Sequence, residues 1–266
     1  AQKLSEDIGV VEIITSKPKK FNSNFSKSEL EKYDNETALK IYRLPLLNED
    51  LKALPRIINA LILGFFTAFK LFTGDYQIVI ATSSPPVLTA FLASTVANLR
   101  KIRFIYYCMD INPEMGISTG DFKNPLLIKL MILIDNYNCH IANPVIVHST
   151  SMRNTLFKRL NKQKINIKII NSLSVPFKNI KQNKIFLNST NSTENRLKVI
   201  YAGNLGRLQG LENIIHTFRY LIEYKDISLT ILGEGIEKIK LQKLSKRLGT
   251  NIEFLDLLIN STNSLI

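Results

Sequence analysis

The residues best suited to bind an anion, by type and by spacing, lie at positions 201–212. This segment reads Tyr-Ala-Gly-Asn-Leu-Gly-Arg-Leu-Gln-Gly-Leu-Glu. It joins a predicted strand to a predicted helix through a loop that contains Gly203, Gly206 and Gly210. Backbone amides in such a loop and the positive end of the next helix can bind a phosphate, and glycine permits its close approach. The spacing matches neither a Walker A loop nor the GxGxxG dinucleotide fingerprint. The segment therefore indicates a phosphate site, although an ordinary strand-to-helix turn has the same glycine content.

Metal and nucleophile chemistry has little support in the sequence. His140, His148 and His216 lie far apart, and none has a cysteine or carboxylate at the spacing of metal ligands. Cys108 and Cys139 are too few for a disulfide framework and form no CxxC pair. We therefore predict no metal site and no covalent nucleophile.

Short strand-type runs alternate with longer helical patterns through the first two thirds of the chain. The predicted strands are 10–15, 39–44, 77–82, 102–107, 145–149 and 167–170, and the predicted helices are 55–72, 86–99, 125–140 and 151–160. Continuously apolar strands are typical of a parallel sheet covered on both faces. The alternation predicts a doubly wound α/β domain over residues 1–170.

A break and a restart follow that first pattern. Residues 171–196 are rich in lysine, asparagine and serine, which predicts a linker. Strands at 197–202, 227–232 and 251–255 then alternate with helices at 210–224 and 235–248. Residues 197–266 therefore form the predicted second α/β domain.

The chain is basic, with a formal charge of +13 and a pI near 9.6. Residues 136–193 contain no acidic residue. Nine basic residues fall in this stretch: Arg153, Lys158, Arg159, Lys162, Lys164, Lys168, Lys178, Lys181 and Lys184. Such a charge distribution favours an anionic partner, which can be a phospholipid surface, a diphosphate or nucleic acid, and a merely solvated basic surface is the alternative.

An apolar segment at residues 57–72 is the best candidate for membrane contact. It is shorter than the roughly 20 apolar residues that a spanning helix requires. We therefore predict a buried or interfacial helix, and burial is the preferred interpretation.

The glycine-rich segment at 201–212 resembles the opening of the C-terminal domain in family 4 glycosyltransferases, especially bacterial members similar to fucosamine transferases of surface-polysaccharide assembly. Residues 229–235 (Leu-Thr-Ile-Leu-Gly-Glu-Gly), 240–244 and 251–254 match the next elements of that domain in order. Upstream, residues 107–114 end in Asp-Ile-Asn-Pro-Glu and resemble the family's Asp-Leu-Trp-Pro-Glu strand end. Residues 147–152 and 81–86 resemble two further N-domain segments, so the resemblance covers nearly the whole chain.

The resemblance implies an α/β fold of the GT-B type, with two Rossmann-like domains of which the second is incomplete. It implies a nucleotide-diphosphate sugar as donor, with a UDP-N-acetyl sugar expected, and transfer of a hexosyl group with retention. No metal or other cofactor is expected. The implied acceptor is a polyprenyl-diphosphate-linked saccharide in O-antigen, capsule or exopolysaccharide synthesis. The expected location is the cytoplasmic face of the plasma membrane, where the basic stretch would face anionic lipid.

The resemblance also implies a donor site drawn from two glycine-containing stretches: Gly203, Asn204, Gly206, Arg207, Gln209, Gly233 and Gly235. Most family members stabilise the leaving diphosphate with an Arg and a Lys five residues apart. Asn204 and Gln209 stand at those positions here, so Arg207 is the cation expected to replace the pair. The alternative for Arg207 is an ordinary exposed loop arginine.

Asp110 and Glu114 are the implied catalytic or acceptor-positioning residues of the first domain. They follow a predicted strand at its carboxyl end, where ligands bind in open α/β folds. Met109 and Asn112 replace the family's usual histidine and tryptophan. A capping aspartate and a turn glutamate are the alternative.

The family's first strand and its pair of donor-binding glutamates have no counterpart within the 266 residues. From the resemblance we expect a fragment or a decayed gene product, inactive and poorly soluble as it stands. A non-catalytic partner subunit is one alternative function. A nucleic-acid-binding protein is another, but aromatic residues are not interleaved with the basic ones and no recognition module is present, so nucleic acid is not an expected partner.

Overall fold

The computed structural model describes residues 6–7, 9–16, 39–48, 53–84, 87–161, 165–171 and 197–256. The chain divides into two compact units, residues 1–173 and 174–266. The predicted linker at 171–196 lies outside the described residues except for Asn171.

The first unit alternates strands and helices. Its strands are β1 (Glu12–Ser16), β2 (Lys40–Leu44), β3 (Ile78–Thr82), β4 (Arg103–Tyr107), β5 (Val145–Val147) and β6 (Ile167–Ile169). Its helices are α1 (Ala53–Thr73), α2 (Leu88–Leu99), α3 (Glu114–Ser118), α4 (Pro125–Ile141) and α5 (Thr150–Arg159). Strands β3 to β6 form a parallel sheet in chain order, and β1 and β2 form a separate parallel pair. The predicted parallel pairing is therefore present.

Local capping explains where two of these helices begin. The Asn124 side chain accepts hydrogen bonds from the amides of Leu126 and Leu127, and Pro125 occupies the first position of α4. Ser149 caps α5 by accepting from the amide of Met152 at 3.2 Å. Helix α1 begins at Ala53, two residues before the predicted start at 55, and α2 begins at Leu88, two residues after the predicted start at 86.

The core of the first unit lies between the sheet and its helices. Phe104 and Tyr106 of β4 are buried there, and α2 turns small residues towards the sheet. Ala90, Ala93 and Ala97 recur at helical spacing, which lets α2 approach the sheet closely. Ile78 and Ile80 on β3 are 44% and 52% exposed, so the predicted cover on both faces is absent from β3 within the described residues.

Helix α1 is buried along one face only. Ala60, Leu63 and Leu71 are buried, whereas Phe65 and Phe69 are 61% and 63% exposed. The preferred interpretation of α1 as a buried helix is therefore wrong, because only one side of α1 meets the rest of the unit. Its 20-residue stretch Leu54–Thr73 is also longer than predicted, and by length and composition alone it is long and apolar enough to cross a membrane.

The second unit is a smaller α/β layer. It contains β7 (Leu197–Ala202), α6 (Leu211–Arg219), β8 (Ile227–Leu232), α7 (Lys238–Leu248) and β9 (Ile252–Leu255). The three strands are parallel in the order β7-β8-β9, and a short 3-10 helix spans Arg207–Gln209. Apolar residues of α6, α7 and β8 pack around the fully buried Leu205. The predicted helix at 210–224 ends five residues early, because turns held by i to i+3 hydrogen bonds follow Arg219.

A polar cluster joins β1 and β2 to α1 at the amino ends of the strands. The Glu12 carboxylate lies 3.1 Å from Lys40 Nζ and 3.2 Å from Lys70 Nζ, and it accepts a hydrogen bond from the Tyr76 hydroxyl. Lys70 Nζ also donates to the Tyr42 hydroxyl at 2.9 Å. Ligands of open α/β sheets bind at the opposite, carboxyl ends of the strands, so this cluster stabilises the fold.

Acid should weaken the first unit through Glu12. Burial raises the pKa of Glu12, but hydrogen bonds from Tyr76, Lys40 and Lys70 outweigh burial and lower the pKa from 4.5 to about 2. Because the folded pKa lies below the unfolded one, the stabilisation is present above pH 4.5 and is lost as pH falls towards 2. We expect Glu12→Gln to lower the free energy of unfolding at pH 7 by about 1.5–3 kcal/mol, the range for hydrogen bonds to charged groups. Urea unfolding across that pH range measures the effect.

The matched control for Glu12→Gln is Asp75→Asn, which removes an exposed carboxylate from the same unit. The difference in the free energy of unfolding between wild type and Glu12→Gln should shrink as the pH falls. The control should have nearly the wild-type free energy of unfolding at pH 7. A difference that widens on acidification would contradict the assigned role of Glu12.

Candidate functional site

Two glycine loops meet at the carboxyl edge of the second sheet. One loop follows β7 at residues 203–206, and the other follows β8 at residues 233–237. The amide of Leu205 donates to the Glu234 carbonyl at 2.8 Å, and the amide of Glu237 donates to the Leu205 carbonyl at 3.0 Å. The structure thus brings the two stretches predicted from sequence into direct contact, at the edge where α/β sheets bind ligands.

Glycine is required where the two loops touch. A Cβ atom on Gly233 would lie 1.9 Å from the Gly203 carbonyl oxygen, and one on Gly235 would lie 2.3 Å from the Leu205 carbonyl oxygen. Both residues also have positive φ angles, +156° and +159°. These glycines therefore let one backbone loop pack on the other, a reason that the resemblance alone did not supply.

The amide side chains of Asn204 and Gln209 lie together over Gly206. A Cβ atom on Gly206 would stand 2.9 Å from Asn204 Nδ2 and 2.8 Å from Gln209 Oε1. The Tyr201 hydroxyl fixes this loop by donating to the Asn204 carbonyl at 2.9 Å. Both amide side chains belong to exposed residues, so they can donate hydrogen bonds to a ligand.

Arg207 begins the 3-10 helix and is half exposed. Its side chain is 49% exposed, and its Nε lies 3.8 Å from Glu237 Oε1. Glu237 also lies 3.2 Å from Lys240 Nζ. Arg207 is therefore a cation at the edge of the loops that shares a carboxylate with Lys240.

Helix α6 begins directly after these residues without a side-chain cap. Its N-cap is Gly210, in the left-handed conformation at φ +61°. Since the first amides of a helix have no partner within the helix, a ligand can satisfy them, and the helix dipole favours an anion there.

Lys238 is a basic residue at this edge that was missed from the sequence. Its side chain is 14% exposed, and Nζ lies 2.7 Å from Glu234 Oε1 and also pairs with the Asp256 carboxylate. Asp256 and then Glu234 raise the pKa of Lys238. In the sequence, Lys238 belongs to the helical pattern of α7. Its second partner, Asp256, lies nearby only because β9 pairs with β8 in the sheet.

In the first unit, Asp110 lies in the loop at the carboxyl end of β4. Ser83 Oγ accepts hydrogen bonds from the amides of Met109 and Asp110, both at 3.0 Å. The Asp110 carboxylate has no ion pair or side-chain hydrogen bond within the described residues. The backbone of Asp110 is therefore fixed while its carboxylate stays available.

Glu114 is held by Arg159 instead of standing open. The Arg159 guanidinium lies 3.0 Å from Glu114 Oε2, pairs with the Asp135 carboxylate and donates to the Asn112 carbonyl at 3.0 Å. Asp135 is 1% exposed and also accepts from the Tyr106 hydroxyl at 2.5 Å. This favours a structural role for Glu114, although its predicted catalytic role remains a prediction. Arg159 is 8% exposed, so it is not part of the basic surface predicted for residues 136–193.

Burial governs the ionisation of this cluster. It raises the pKa of Asp135, while Arg159 and Tyr106 oppose the rise. Burial, and then the charge of Asp135, raise the pKa of the Cys108 thiol to about 12, so Cys108 is no nucleophile at neutral pH. No group of three or more potential metal-ligating side chains occurs in the part of the chain that the structure describes, and the expected absence of a metal requirement remains a prediction.

Replacing Gly233 should separate the two loops. Gly233→Ala places a methyl group against the Gly203 carbonyl, and such overpacking costs about 1–3 kcal/mol. We expect faster hydrogen exchange at the amides of Leu205 and Glu237. Gly249→Ala is the control, since Gly249 also has a positive φ but has nothing within 4 Å of an added Cβ atom. Unchanged exchange in Gly233→Ala would contradict the packing argument.

Removing Arg159 should strongly destabilise the first unit. Arg159→Met leaves the buried Asp135 carboxylate without its cation, and breaking a buried pair in this way costs about 3–5 kcal/mol. Lys158→Met, at an exposed neighbour on α5, should change the free energy of unfolding by at most about 0.5 kcal/mol. Chemical denaturation of the two variants measures the difference, and equal stabilities would show that the cluster contributes little.

No protein-family model matches the chain, and a search of curated proteins gives no match. Solved structures do match. HepE (Alr3699) of Anabaena, in complex with UDP and glucose, aligns with a TM-score of 0.57 at 13% identity, over 92% of this chain and 69% of HepE. Sucrose-phosphate synthase of Thermosynechococcus elongatus aligns with a TM-score of 0.60 at 13% identity, over 96% of this chain and 62% of the synthase.

These likenesses bear on the fold. At this level of identity they establish the fold, but they do not establish the substrate or the mechanism. Together with the parallel sheets they confirm the predicted class: the chain is an α/β protein of the GT-B type.

Proposed function

We propose that the protein is a glycosyltransferase that takes a sugar from a nucleotide-diphosphate donor. The observation that carries the proposal is the pair of interlocked glycine loops at the carboxyl edge of the second sheet, followed by the uncapped start of α6. HepE, which shares the fold, has been crystallised with UDP, with UDP-glucose and with UDP and glucose. This supports a uridine-diphosphate donor, and a UDP-N-acetyl sugar is our specific proposal.

The local chemistry suits a leaving diphosphate. Negative charge grows on that group as the glycosidic bond breaks, and preorganised donors lower the barrier. Arg207 would supply a positive charge, the amides of Asn204 and Gln209 would supply hydrogen bonds, and the first turn of α6 would supply backbone amides. None of these donors requires a metal ion, so we propose metal-independent transfer.

The acceptor side is proposed to lie in the first unit. Asp110 has a fixed backbone and an available carboxylate at the carboxyl end of β4, which suits an acceptor hydroxyl. Glu114 would hold this loop in place through Arg159. We further propose a polyprenyl-diphosphate-linked saccharide as acceptor, retention at the anomeric carbon, and a role in cell-surface polysaccharide synthesis at the inner face of the plasma membrane.

Donor binding gives the direct test. Calorimetry with UDP should show binding to the wild type. Arg207→Ala should weaken it by about 1.5–3 kcal/mol, the range for hydrogen bonds to charged groups, which corresponds to roughly 10- to 150-fold in Kd. The matched control is Arg219→Ala, which removes an exposed arginine from the far end of α6 and should leave the affinity unchanged.

Two results would contradict the proposal in different ways. Equal UDP affinity in wild type and Arg207→Ala would remove Arg207 from the site. Absence of UDP binding in the wild type, together with no transfer from UDP-N-acetylglucosamine to a polyprenyl-diphosphate-linked saccharide, would reject the function itself.

A further inference from the structure

A row of large apolar side chains lies exposed along α1. Leu54, Phe65, Phe69 and Phe72 are 67%, 61%, 63% and 59% exposed. The last three are spaced by four and three residues, and Leu54 stands eleven residues before Phe65, so all four fall on one face of the helix. We call these four residues the α1 stripe. Contiguous apolar surface of this kind marks an interaction site.

A second exposed apolar row lies on α4. Leu126, Leu130 and Leu133 are 75%, 52% and 60% exposed and recur at i, i+4 and i+7. Helix α2 packs against both α1 and α4, so the three helices form one layer. The ring centroids of Phe91 on α2 and Tyr137 on α4 lie 5.5 Å apart within that layer. The α1 stripe and the α4 row are therefore two parts of one helical layer.

Polar contacts hold the other face of α1 on the protein. Asn59 is fully buried, and its side-chain amide exchanges hydrogen bonds of 2.8 and 2.9 Å with the backbone of Leu47. Thr89 Oγ1 donates to the Ala60 carbonyl at 3.0 Å, and Lys70 pairs with Glu12. A helix tied down by such contacts is suited to lie in an interface, whereas a spanning orientation would require all of them to break.

The charged residues around the helical layer indicate which kind of partner binds it. Residues 53–103, which include α1 and α2, contain a single acidic residue, Asp75. Their exposed basic residues are Arg100, Lys101 and Arg103, whereas Lys70 is paired with Glu12 on the other face of α1. Lys123 and Lys129 are exposed beside the α4 row. Exposed aromatic side chains with basic residues around them complement an anionic bilayer, which offers acyl chains below its headgroup charge.

We propose that this layer docks on an anionic membrane surface by inserting Phe65, Phe69 and Phe72 of the α1 stripe. This contact would account for the membrane location given in the proposed function. It rests on that function for a biological reason to bind lipid. It assigns the contact to specific residues of α1 and α4; the sequence predicts membrane contact for the apolar segment at 57–72 and an anionic partner for the basic stretch at 136–193. Docking itself requires no donor and no sugar transfer.

The absence of tryptophan from the chain allows a direct test of insertion. Phe69→Trp introduces one fluorophore into the α1 stripe. With vesicles of phosphatidylglycerol and phosphatidylcholine, we expect a blue shift and quenching by brominated acyl chains. Tyr220→Trp is the control in the second unit; residue 220 is 82% exposed and should show neither change. A Phe69→Trp spectrum that is unaffected by vesicles would overturn the proposal.

Vesicle sedimentation then measures how much the stripe contributes. Replacing Phe65, Phe69 and Phe72 together by Ser should reduce binding at least tenfold. The control replaces Ile200, Tyr220 and Tyr224, which are also exposed, by Ser and should bind like wild type. Circular dichroism checks that both variants keep the wild-type helix content. Equal vesicle binding by the two triple variants would overturn the proposal.

Salt and donor binding separate the remaining possibilities. Wild-type binding should weaken between about 0.05 and 0.5 M salt, because screening removes the basic contribution, but it should persist through the inserted side chains. Binding abolished by salt would show electrostatic adsorption only and would overturn insertion. Self-association that the Phe→Ser variant loses, without vesicle binding by the wild type, would identify a second copy as the occupant instead. UDP binding should be equal in wild type and this variant, so failure of docking leaves the proposed function intact.

Discussion

Parallel strand pairing is the constraint on which both units depend. Because neighbouring strands run in one direction, each crossover returns the chain to the same end of the sheet, and the carboxyl ends share one edge. In the second unit this brings the loops after β7 and β8 together, with Asp256 after β9 beside them. In the first unit it places Ser83, at the end of β3, next to Asp110, at the end of β4. Candidate site residues therefore gather although they are distant in sequence.

The two units hold their edge loops by different means. In the second unit, backbone hydrogen bonds and the missing side chains of Gly233 and Gly235 let one loop pack against the other. In the first unit the buried guanidinium of Arg159 holds the loop before α3, because it donates to the Asn112 carbonyl and pairs with Asp135 on α4. An ion pair of this kind is costly to break, because either partner alone would be a buried charge. Stability and the geometry of the candidate site are thus coupled at Arg159.

The sequence by itself determined the order of the strands and of the longer helices, the division into two α/β parts and the glycine-rich candidate site; the short helix α3 was not predicted. It did so because these features depend on local periodicity and on residue type, both of which are visible in short windows. The strands at 197–202 and 227–232 have the predicted bounds, and most other ends differ by one to three residues. The end of α6 at Arg219 differs more, because the turns that follow compete with the helix through hydrogen bonds that periodicity does not reveal.

Only the tertiary structure decided what individual charged and apolar side chains do. Arg159 is part of a basic run in the sequence, yet it is buried against two carboxylates that lie 24 and 45 residues away. Lys238 also has a partner that is distant in sequence, because it pairs with Asp256, 18 residues away and directly after β9. The apolar segment of α1 has the composition of a buried helix, but α2 and Leu47 cover one of its faces only, which leaves its phenylalanines exposed. Burial and pairing depend on which elements pack together, and that is a property of the whole unit that local sequence does not contain.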